Sequence, residues 1–409
     1  MRFTTAGESH GPSLVSILEG LPAGVPVVAA EIDRELSRRQ MGHGRGRRMQ
    51  IEKDAVEILS GVRGGQTIGS PIAMLIQNRD WKNWQEIMDP ALRDGEAAAA
   101  SGVAPARRRA VTRVRPGHAD HPGMMKYDRA DGRDILERAS ARETTARVAA
   151  GAICRGFLAQ FGVRIGSHVI HLGGFDATVP ASLPEDINAV ADESAVRMLD
   201  RSREDEIIAH IDAVKREGNT LGGACEIVCT GHVVGLGSHV SWDRKLDGRL
   251  AQAIMSIPAV KAVEIGTGVE GSRKPGSEVH DEIDPAPGSP RSGNVRRRTN
   301  RAGGLEGGIT NGEPLVIRAY MKPISTLMRP LGTVDLATGE PAQAVAERSD
   351  VTAVPAMGVI AEAMVAFIVA DAIFEKFGGD SLGETLRNHD AYLAHIGSGR
   401  APGGAAGGR

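Results

Sequence analysis

The sequence has few cysteines, few aromatic residues and no excess of charge of either sign. Its 409 residues include 3 cysteines, 3% aromatic residues, and 49 basic against 51 acidic residues, for a formal net charge of −2. Three cysteines are too few, and odd in number, for the disulfide framework of a secreted protein, and they favour a reducing cytoplasm. Balanced charge gives no reason to expect nucleic acid or an acidic membrane as a partner.

Long hydrophobic runs and a signal peptide are also missing. The most apolar stretch, 357–374, is interrupted by Glu362 and Asp371, which predicts a buried helix and not a membrane span. The N-terminal residues MRFTTAGESHG lack the basic segment and apolar run of a secretory signal. We therefore expect a soluble cytoplasmic protein.

Short apolar runs and helical periodicity occur in no strict alternation. Runs typical of strands lie at 13–20, 71–77, 163–171, 224–234 and 315–321, and helical periodicity lies at 30–40, 133–161, 243–256 and 357–377. This order favours a mixed α+β fold with largely antiparallel sheets over a doubly wound parallel sheet.

The chain shows no internal repeat and no sharp change of composition that would mark a domain boundary. We expect a single catalytic domain over residues 1–390, followed by a flexible glycine-rich tail over 391–409. The alanine-rich segment 91–106 is predicted to be a surface insertion.

Several well-known ligand sites are not supported. GTGVEG at 266–271 matches the dinucleotide fingerprint, but Pro275 and Gly276 follow where that fold needs a long helix. No P-loop pattern occurs. His118 and His121 could be metal ligands, yet no cysteine or carboxylate cluster with zinc spacing surrounds them, so we predict no metal site. Cys225 and Cys229 are interpreted as core residues of one strand.

Arginines concentrate on a glycine-rich segment at 34–48, RELSRRQMGHGRGRR. A charge run is usually a solvated face, and that interpretation suits the helical part of the segment. Guanidinium groups on a glycine loop differ from those on a solvated helix face, because they can bind phosphate or carboxylate with two hydrogen bonds while the backbone approaches the ligand. We predict anion binding by Arg39 and Arg45.

Two histidines lie among small, turn-forming residues: His10 in AGESHGPS and His118 in RVRPGHADHPG. A lone histidine is more often a hydrogen-bonding residue than a catalyst. Beside arginines, however, an imidazole can transfer a proton to a departing phosphate or a reduced cofactor, and Arg115 would help to hold that anion. The glycine-rich run 300–314 and the turn KPIST at 322–326 suit a loop that wraps a phosphate.

Eight segments resemble, in order along the chain, the signature blocks of the chorismate synthase family. They are GESHGPSLVSILEGLP at 7–22, GRGRRM at 44–49, RPGHAD at 115–120, ERASARETTARVAAG at 137–151, IPAVKAVEIG at 257–266, NRAGGLEGGITNG at 300–312, KPIST at 322–326 and RSDVTAVPA at 348–356. One such match arises easily by chance, whereas eight collinear matches are specific.

The resemblance implies a reaction, a cofactor and an architecture. The reaction is the 1,4-anti elimination of phosphate from 5-enolpyruvylshikimate 3-phosphate to give chorismate, which requires reduced FMN without net redox change. NADPH is a candidate reductant. The implied fold is a central helical layer between antiparallel β-sheets, a β-α-β sandwich, assembled as a homotetramer.

By matching position, the resemblance also assigns roles to residues. His10 would protonate reduced flavin, His118 would act as an acid toward the departing phosphate or buffer the flavin's charge, and Asp350 would tune proton transfer at flavin N5. Substrate anions would be bound by Arg39, Arg45, Arg115 and Arg142, the first two also serving a reduced nicotinamide nucleotide. The flavin would be held by Arg138, Ala139, Ser140, Pro258, Ala259, Gly307, Lys322, Pro323, Ile324, Ser325, Thr326 and Arg348.

His43 and His121 stand where relatives often carry other residues, which puts local pH dependence in doubt. Two other functions stay open at this stage. A non-catalytic anion-binding protein could use the same arginine loop, but it would not need His10 and His118. An ordinary flavin reductase would consume NADPH in proportion to its product.

Overall fold

The computed structural model describes residues 1–46, 52–91, 109–178, 180–346 and 349–398. All but the first residue of the predicted insertion at 91–106 lies outside these ranges.

The described part of the chain mixes short and long elements of both kinds. The strands are β1 (Arg2–Ala6), β2 (Ser13–Glu19), β3 (Val56–Ile58), β4 (Val62–Arg63), β5 (Gln66–Thr67), β6 (Ile72–Gln77), β7 (Arg164–Leu172), β8 (Phe175–Asp176), β9 (Gly223–Thr230), β10 (Val260–Ile265), β11 (Ile283–Pro285), β12 (Val295–Arg297), β13 (Leu305–Glu306), β14 (Ile309–Thr310), β15 (Leu315–Met321), β16 (Gly332–Val334) and β17 (Pro341–Gln343). The helices are α1 (Ala29–Gln40), α2 (Asp120–Tyr127), α3 (Arg133–Ala139), α4 (Thr144–Ala159), α5 (Ile187–Ala191), α6 (Glu204–Arg216), α7 (Leu246–Met255), α8 (Gly268–Gly271), α9 (Gly276–Val279), α10 (Val354–Phe377) and α11 (Leu382–Gly397).

Two antiparallel sheets organise the fold. A four-stranded sheet has the order β1-β2-β6-β3, and a five-stranded sheet has the order β10-β15-β9-β7-β8. In β15 the side chains alternate, with Leu315, Ile317 and Ala319 buried. The predicted mixed fold with antiparallel sheets is confirmed.

Helices α4 and α10 pack against each other and mainly against different sheets. Helix α4 contacts β2 of the four-stranded sheet, while α10 contacts β7 and β9 of the five-stranded sheet. Helix α1 lies against α4. The hydrophobic core therefore runs through these helices and joins both sheets.

Helix α10 is the apolar segment that the sequence predicted to be a buried helix. It is long and apolar enough to cross a membrane by length and composition, but most of it is buried inside the protein. It begins at Val354, with Pro355 in the first turn, where the missing N–H of proline has no cost. The prediction of a buried helix is confirmed.

The structure differs from the prediction at residues 133–161 and at the C-terminal tail. The single helix predicted over 133–161 is two helices, because Ser140 is extended (φ −64, ψ 143) and its Oγ accepts the Arg142 backbone N–H at 3.3 Å. Near the C-terminus, α11 continues to Gly397, past the tail boundary predicted at residue 391. There Tyr392 and Leu393 pack against the core, which anchors the last turns.

The three cysteines are buried, and burial raises the pKa of each thiol to about 12. Such thiols carry almost no thiolate at neutral pH and are chemically inert. The interpretation of Cys225 and Cys229 as core residues is confirmed.

A buried histidine is expected to make folding sensitive to mild acid. Burial lowers the pKa of His232 from 6.5 to about 4. A histidine with a lower pKa in the folded state contributes stability that is present above its unfolded value and is lost as the pH falls toward its folded value. The free energy of unfolding should therefore decline between pH 6.5 and pH 4, by about 3 kcal/mol from this residue.

Chemical unfolding of the wild type and of His232→Gln at several pH values in this window checks the prediction. Because other groups titrate as well, the relevant quantity is the difference between the two proteins in the slope of unfolding free energy against pH. The variant should lose less stability on acidification, and parallel slopes would show that His232 does not titrate in this way.

Candidate active site

His10 lies in the loop between β1 and β2, and helix α3 fixes its orientation. Its Nδ1 is 2.9 and 3.0 Å from the two carboxylate oxygens of Glu137, and its backbone N–H donates to the same carboxylate at 2.8 Å. The loop depends on Gly7, whose φ is +103 and which approaches the carbonyl of Ser13 too closely for a side chain.

His118 is half of a second imidazole–carboxylate pair. Its Nδ1 lies 2.5 Å from Oδ1 of Asp120, and Arg115 binds both oxygens of that carboxylate at 2.8 and 3.1 Å. Burial raises the pKa of Asp120, but hydrogen bonds from His118 and Arg115 outweigh it and hold that pKa well below its usual range. A charged carboxylate therefore faces the imidazole at neutral pH.

The two histidines are carried by neighbouring elements. Asp120 begins α2 and Glu137 lies on α3, and these helices pack on each other. Gly123 of α2 sits directly against Ile135 of α3, where a larger residue would collide. The GESHG and RPGHAD motifs thus meet through one helix pair.

Predicted anion-binding arginines converge around one buried carboxylate, that of Asp54. Arg142 Nη1 donates to both of its oxygens at 2.6 and 2.7 Å, and Arg39 Nη2 donates to Oδ2 at 3.3 Å. Burial lowers the pKa of Arg39 to about 10, an effect that Asp54 opposes and the charges of Arg142 and Arg45 reinforce. Arg39 therefore stays charged at neutral pH within a cluster of like charges.

Two guanidinium nitrogens of this cluster lack an acceptor. Within the described ranges, Nε of Arg39 and Nη2 of Arg142 are buried and have no hydrogen-bond partner. Glu52 is 3.6 Å from Nη2, which is an ion pair beyond hydrogen-bonding distance. A buried N–H without an acceptor costs about 1–3 kcal/mol, and a carboxylate or phosphate oxygen of a ligand would satisfy it.

Asn78 connects the arginine cluster to the His10 loop. Its side-chain oxygen accepts Arg142 Nε at 3.0 Å, while its amide donates to the carbonyls of Gly11 and Glu8 at 2.7 and 3.2 Å. Asn78 therefore links Arg142 to residues on either side of His10.

Asp350 joins the glycine-rich arginine loop to the C-terminal part of the chain. Its carboxylate accepts the Gly46 backbone N–H at 2.6 Å and pairs with Arg45 Nη1 at 2.9 Å. The next residue, Val351, donates to the Gly44 carbonyl at 2.8 Å. The third predicted catalytic residue is thus in contact with a predicted anion-binding arginine.

The KPIST turn lies against the His118 loop. Lys322 donates its backbone N–H to the Ala259 carbonyl at 3.0 Å and its Nζ to the Gly117 carbonyl at 2.6 Å. Arg115 Nη1 donates to Oγ1 of Thr326 at 3.1 Å. Ala259 has a φ of +69, unusual for a residue with a side chain. Segments 258–259 and 322–326 therefore meet beside His118.

The remaining predicted flavin-binding residues do not all lie beside His118. Arg138 donates to the carbonyls of Thr5 and Gly7, and Ser140 Oγ bonds Ser9 Oγ at 3.1 Å, so both lie at the His10 loop. Gly307 sits at the turn of the β13–β14 hairpin, whose neighbours include the start of α7. Arg348 lies outside the described residues.

Sequence reasoning missed the residues that hold the predicted ones in place: Glu137, Asp120, Asp54 and Asn78. Asp120 stands two residues after His118 in RPGHAD, which was a usable signal, whereas Glu137 begins the motif ERASARE, 127 positions from His10. Asp54 and Asn78 offered none, since each reaches Arg142 from a distant part of the chain.

His43 and His121, which stand where relatives often carry other residues, do not contact the two imidazole–carboxylate pairs. His43 Nε2 bonds Asp212 of α6 at 2.9 Å, and His121 is exposed on α2. A groove of about 950 Å³, lined by residues of α1, α4 and α5, contains none of the predicted site residues.

Comparison with known proteins gives one consistent answer. A family model described as chorismate synthase matches residues 1–374. A chorismate synthase of Symbiobacterium thermophilum is 55% identical, over 97% of this chain and 99% of its own length. One of Geobacter metallireducens is 53% identical, with the same coverage. A crystal structure of chorismate synthase shares 41% identity with a TM-score of 0.76, and the match covers 97% of this chain and 98% of the solved chain.

Two imidazole–carboxylate pairs beside buried arginines, together with these likenesses, define an enzyme of the lyase class. The chain belongs to the chorismate synthase family, which places it in the shikimate pathway.

Proposed function

We propose that this chain eliminates phosphate from 5-enolpyruvylshikimate 3-phosphate in a site formed by the His10 loop, the His118 loop and the arginine cluster, with reduced FMN as cofactor. The observation that carries this proposal is that, within the described residues, Nε of Arg39 and Nη2 of Arg142 are buried without an acceptor, and that Asn78 links Arg142 to the His10 loop. A substrate with carboxylate and phosphate groups supplies such acceptors.

The arginines bind and orient the substrate. Arg39 and Arg142 are held by Asp54, Arg45 by Asp350 and Arg115 by Asp120, so each guanidinium is fixed before the substrate arrives. Groups positioned in advance lose less entropy when the ligand binds and act more strongly on charge that develops in the reaction. Arg39 and Arg45 would also receive a nicotinamide nucleotide if NADPH is the reductant.

Three side chains hold or move protons. His118 donates a proton to the departing phosphate from Nε2, because Nδ1 is engaged by Asp120. His10 serves as the second proton-transfer group, also through Nε2, and Asp350 is the third titratable group, next to Arg45. Buried carboxylates lie behind both imidazoles and engage Nδ1 of each ring.

The KPIST turn fits a flavin phosphate. Burial, and then the charge of Lys261, lower the pKa of Lys322, so two ammonium groups near each other would gain from a shared anion. Gly117 (φ +77) leaves open the space beside Lys322 and Ser325 that a Cβ would fill. The cofactor would be held by Arg138, Ala139, Ser140, Pro258, Ala259, Gly307, Lys322, Pro323, Ile324, Ser325, Thr326 and Arg348. When bound, reduced FMN supplies electron density that helps to expel phosphate.

The finer architecture is part of the same proposal. The packing of α4 and α10 on different sheets supports a helical layer between antiparallel sheets, the β-α-β sandwich that the resemblance implies. We also propose a cytoplasmic homotetramer that acts on a small molecule, without nucleic acid or membrane, and a single catalytic domain.

Anaerobic phosphate release from 5-enolpyruvylshikimate 3-phosphate tests the function. With photoreduced FMN, the wild type should release one phosphate per chorismate formed and consume no reductant in proportion to product. With oxidised FMN and NADPH alone, release would show that the chain reduces its own flavin. Stoichiometric NADPH consumption without phosphate would indicate a flavin reductase, and binding without either reaction would indicate an anion-binding protein.

A further inference from the structure

We propose that Glu137 is the positioning residue of His10: it fixes the imidazole with a proton on Nδ1 and thereby makes Nε2 the nitrogen that exchanges protons during turnover. This inference rests on the proposed function, since it takes His10 to be a catalytic residue.

Glu137 forms hydrogen bonds with two consecutive residues of the GESHG loop, Ser9 and His10. Its backbone carbonyl accepts the Ser9 N–H at 2.9 Å, and its carboxylate accepts the His10 N–H at 2.8 Å. The same carboxylate lies 2.9 and 3.0 Å from His10 Nδ1. Its side chain is 1% exposed, whereas that of His10 is 21% exposed. The carboxylate therefore stands on the protein side of the ring, and the ring itself reaches the solvent-accessible side.

The chemistry of the carboxylate decides the tautomer. A carboxylate has only acceptor oxygens, so the nitrogen that approaches it must carry the hydrogen. With the hydrogen on Nδ1, the neutral ring has its lone pair on Nε2. Proton uptake and release then take place at Nε2, on the side of the ring opposite Glu137, while the Nδ1–H bond stays intact.

The face of the ring is fixed as well. Trp84 stacks on His10 with ring centroids 3.9 Å apart and an interplanar angle of 26°. Arg133, one helical turn before Glu137 on α3, lies 5.6 Å from the Trp84 ring. Glu137 thus controls rotation of the imidazole within the ring plane, while Trp84 limits rotation out of that plane. Helix α3 contributes to both effects, because it carries Glu137 and because its Arg133 lies over the Trp84 ring. A catalytic imidazole gains rate from such fixation because the proton is delivered along one direction.

Glu137→Gln tests the inference with almost no change of volume. The glutamine oxygen can still accept the His10 N–H from the Oε2 position, while the NH₂ group replaces the oxygen that lies 2.9 Å from Nδ1 and donates to this nitrogen, which favours Nδ1 as an acceptor. The proton moves to Nε2 in the neutral ring. We expect kcat to fall by about 10²-fold or more with little change in KM for the substrate.

A second readout does not depend on activity. At an alkaline pH at which the ring ¹⁵N shifts themselves show a neutral imidazole, ¹⁵N NMR should report a hydrogen on Nδ1 of His10 in the wild type and on Nε2 in Glu137→Gln. The signal is assigned among the 12 histidines by its absence in His10→Gln. A hydrogen on Nδ1 in both proteins, or wild-type turnover in Glu137→Gln, would overturn the inference.

Glu264→Gln is a matched control. Glu264 is also buried, and its carboxylate accepts one backbone N–H, from Val269 at 2.8 Å, and one side-chain donor, the Tyr320 hydroxyl at 2.7 Å. Its neutralisation should leave kcat and the His10 tautomer unchanged, and a fall equal to that in Glu137→Gln would point to a general structural effect. If the wild type itself releases no phosphate, the proposed function fails, while the NMR comparison still decides the role of Glu137.

Discussion

Replacing His118 by alanine is expected to lower turnover by about 10²–10⁴-fold, the range typical for loss of a general acid. The change removes Nε2 but leaves the Arg115–Asp120 ion pair, so the loop and the anion-binding groups should keep their positions. Substrate affinity and flavin binding should therefore change little. Single-turnover phosphate release and equilibrium binding, measured on the same preparation, separate the two effects.

His171→Ala provides the comparison for this experiment. His171 forms the same kind of pair, with Nδ1 2.6 Å from Oδ1 of Asp176, but at the sheet edge where β7 meets β8. It should retain wild-type turnover. We expect His10→Ala to behave like His118→Ala, and unchanged turnover in both of these variants would refute the proposed proton chemistry.

Replacing Glu362 by glutamine is expected to cost about 3–5 kcal/mol of unfolding free energy. This carboxylate lies in the middle of α10, completely buried, and bonds Arg38 at 3.0 Å, Arg155 at 2.6 Å and Ser167 at 2.6 Å, with Arg197 at 3.4 Å. Burial raises the pKa of Glu362, but the three guanidinium charges outweigh it and hold that pKa well below its usual range. Glutamine would leave three buried or partly buried cations short of a counter-charge.

Chemical unfolding at matched protein concentration measures this loss. Glu375→Gln is the control, because Glu375 lies on the same helix but is exposed, where it pairs with Arg244 and Arg249. An exposed pair contributes about 0–1 kcal/mol. Equal losses in the two variants would mean that burial of Glu362 does not govern its contribution.

The sequence predicted much of the fold because its main strands and helices carry strong local patterns. The alternation at 13–20 and 315–321 became β2 and β15, and the apolar segment ending at Gly378 became α10. The prediction of one helix over 133–161 failed at Ser140, because the apolar stripe continues on both sides of the point where the helix is interrupted. A single side-chain cap ends one helix there and starts a short turn, and hydrophobic periodicity does not report such a cap.

For the site, the motifs predicted the groups that act but not the groups that hold them. His10, His118 and the arginines stand in recognisable segments, and the structure joins the two histidine loops through α2 and α3. Their carboxylate partners were not predicted, since a hydrogen bond such as that between Arg142 and Asp54 joins residues 88 positions apart.

The sequence by itself determined the family, the mixed fold with antiparallel sheets, and the types of side chain available for binding anions and moving protons. Only the tertiary structure decided which nitrogen of each imidazole is engaged, which guanidinium N–H groups remain for a ligand, and how the loops meet. The physical reason is that residue type and local pattern are encoded along the chain, whereas distance, burial and hydrogen-bond direction arise only when remote segments pack together.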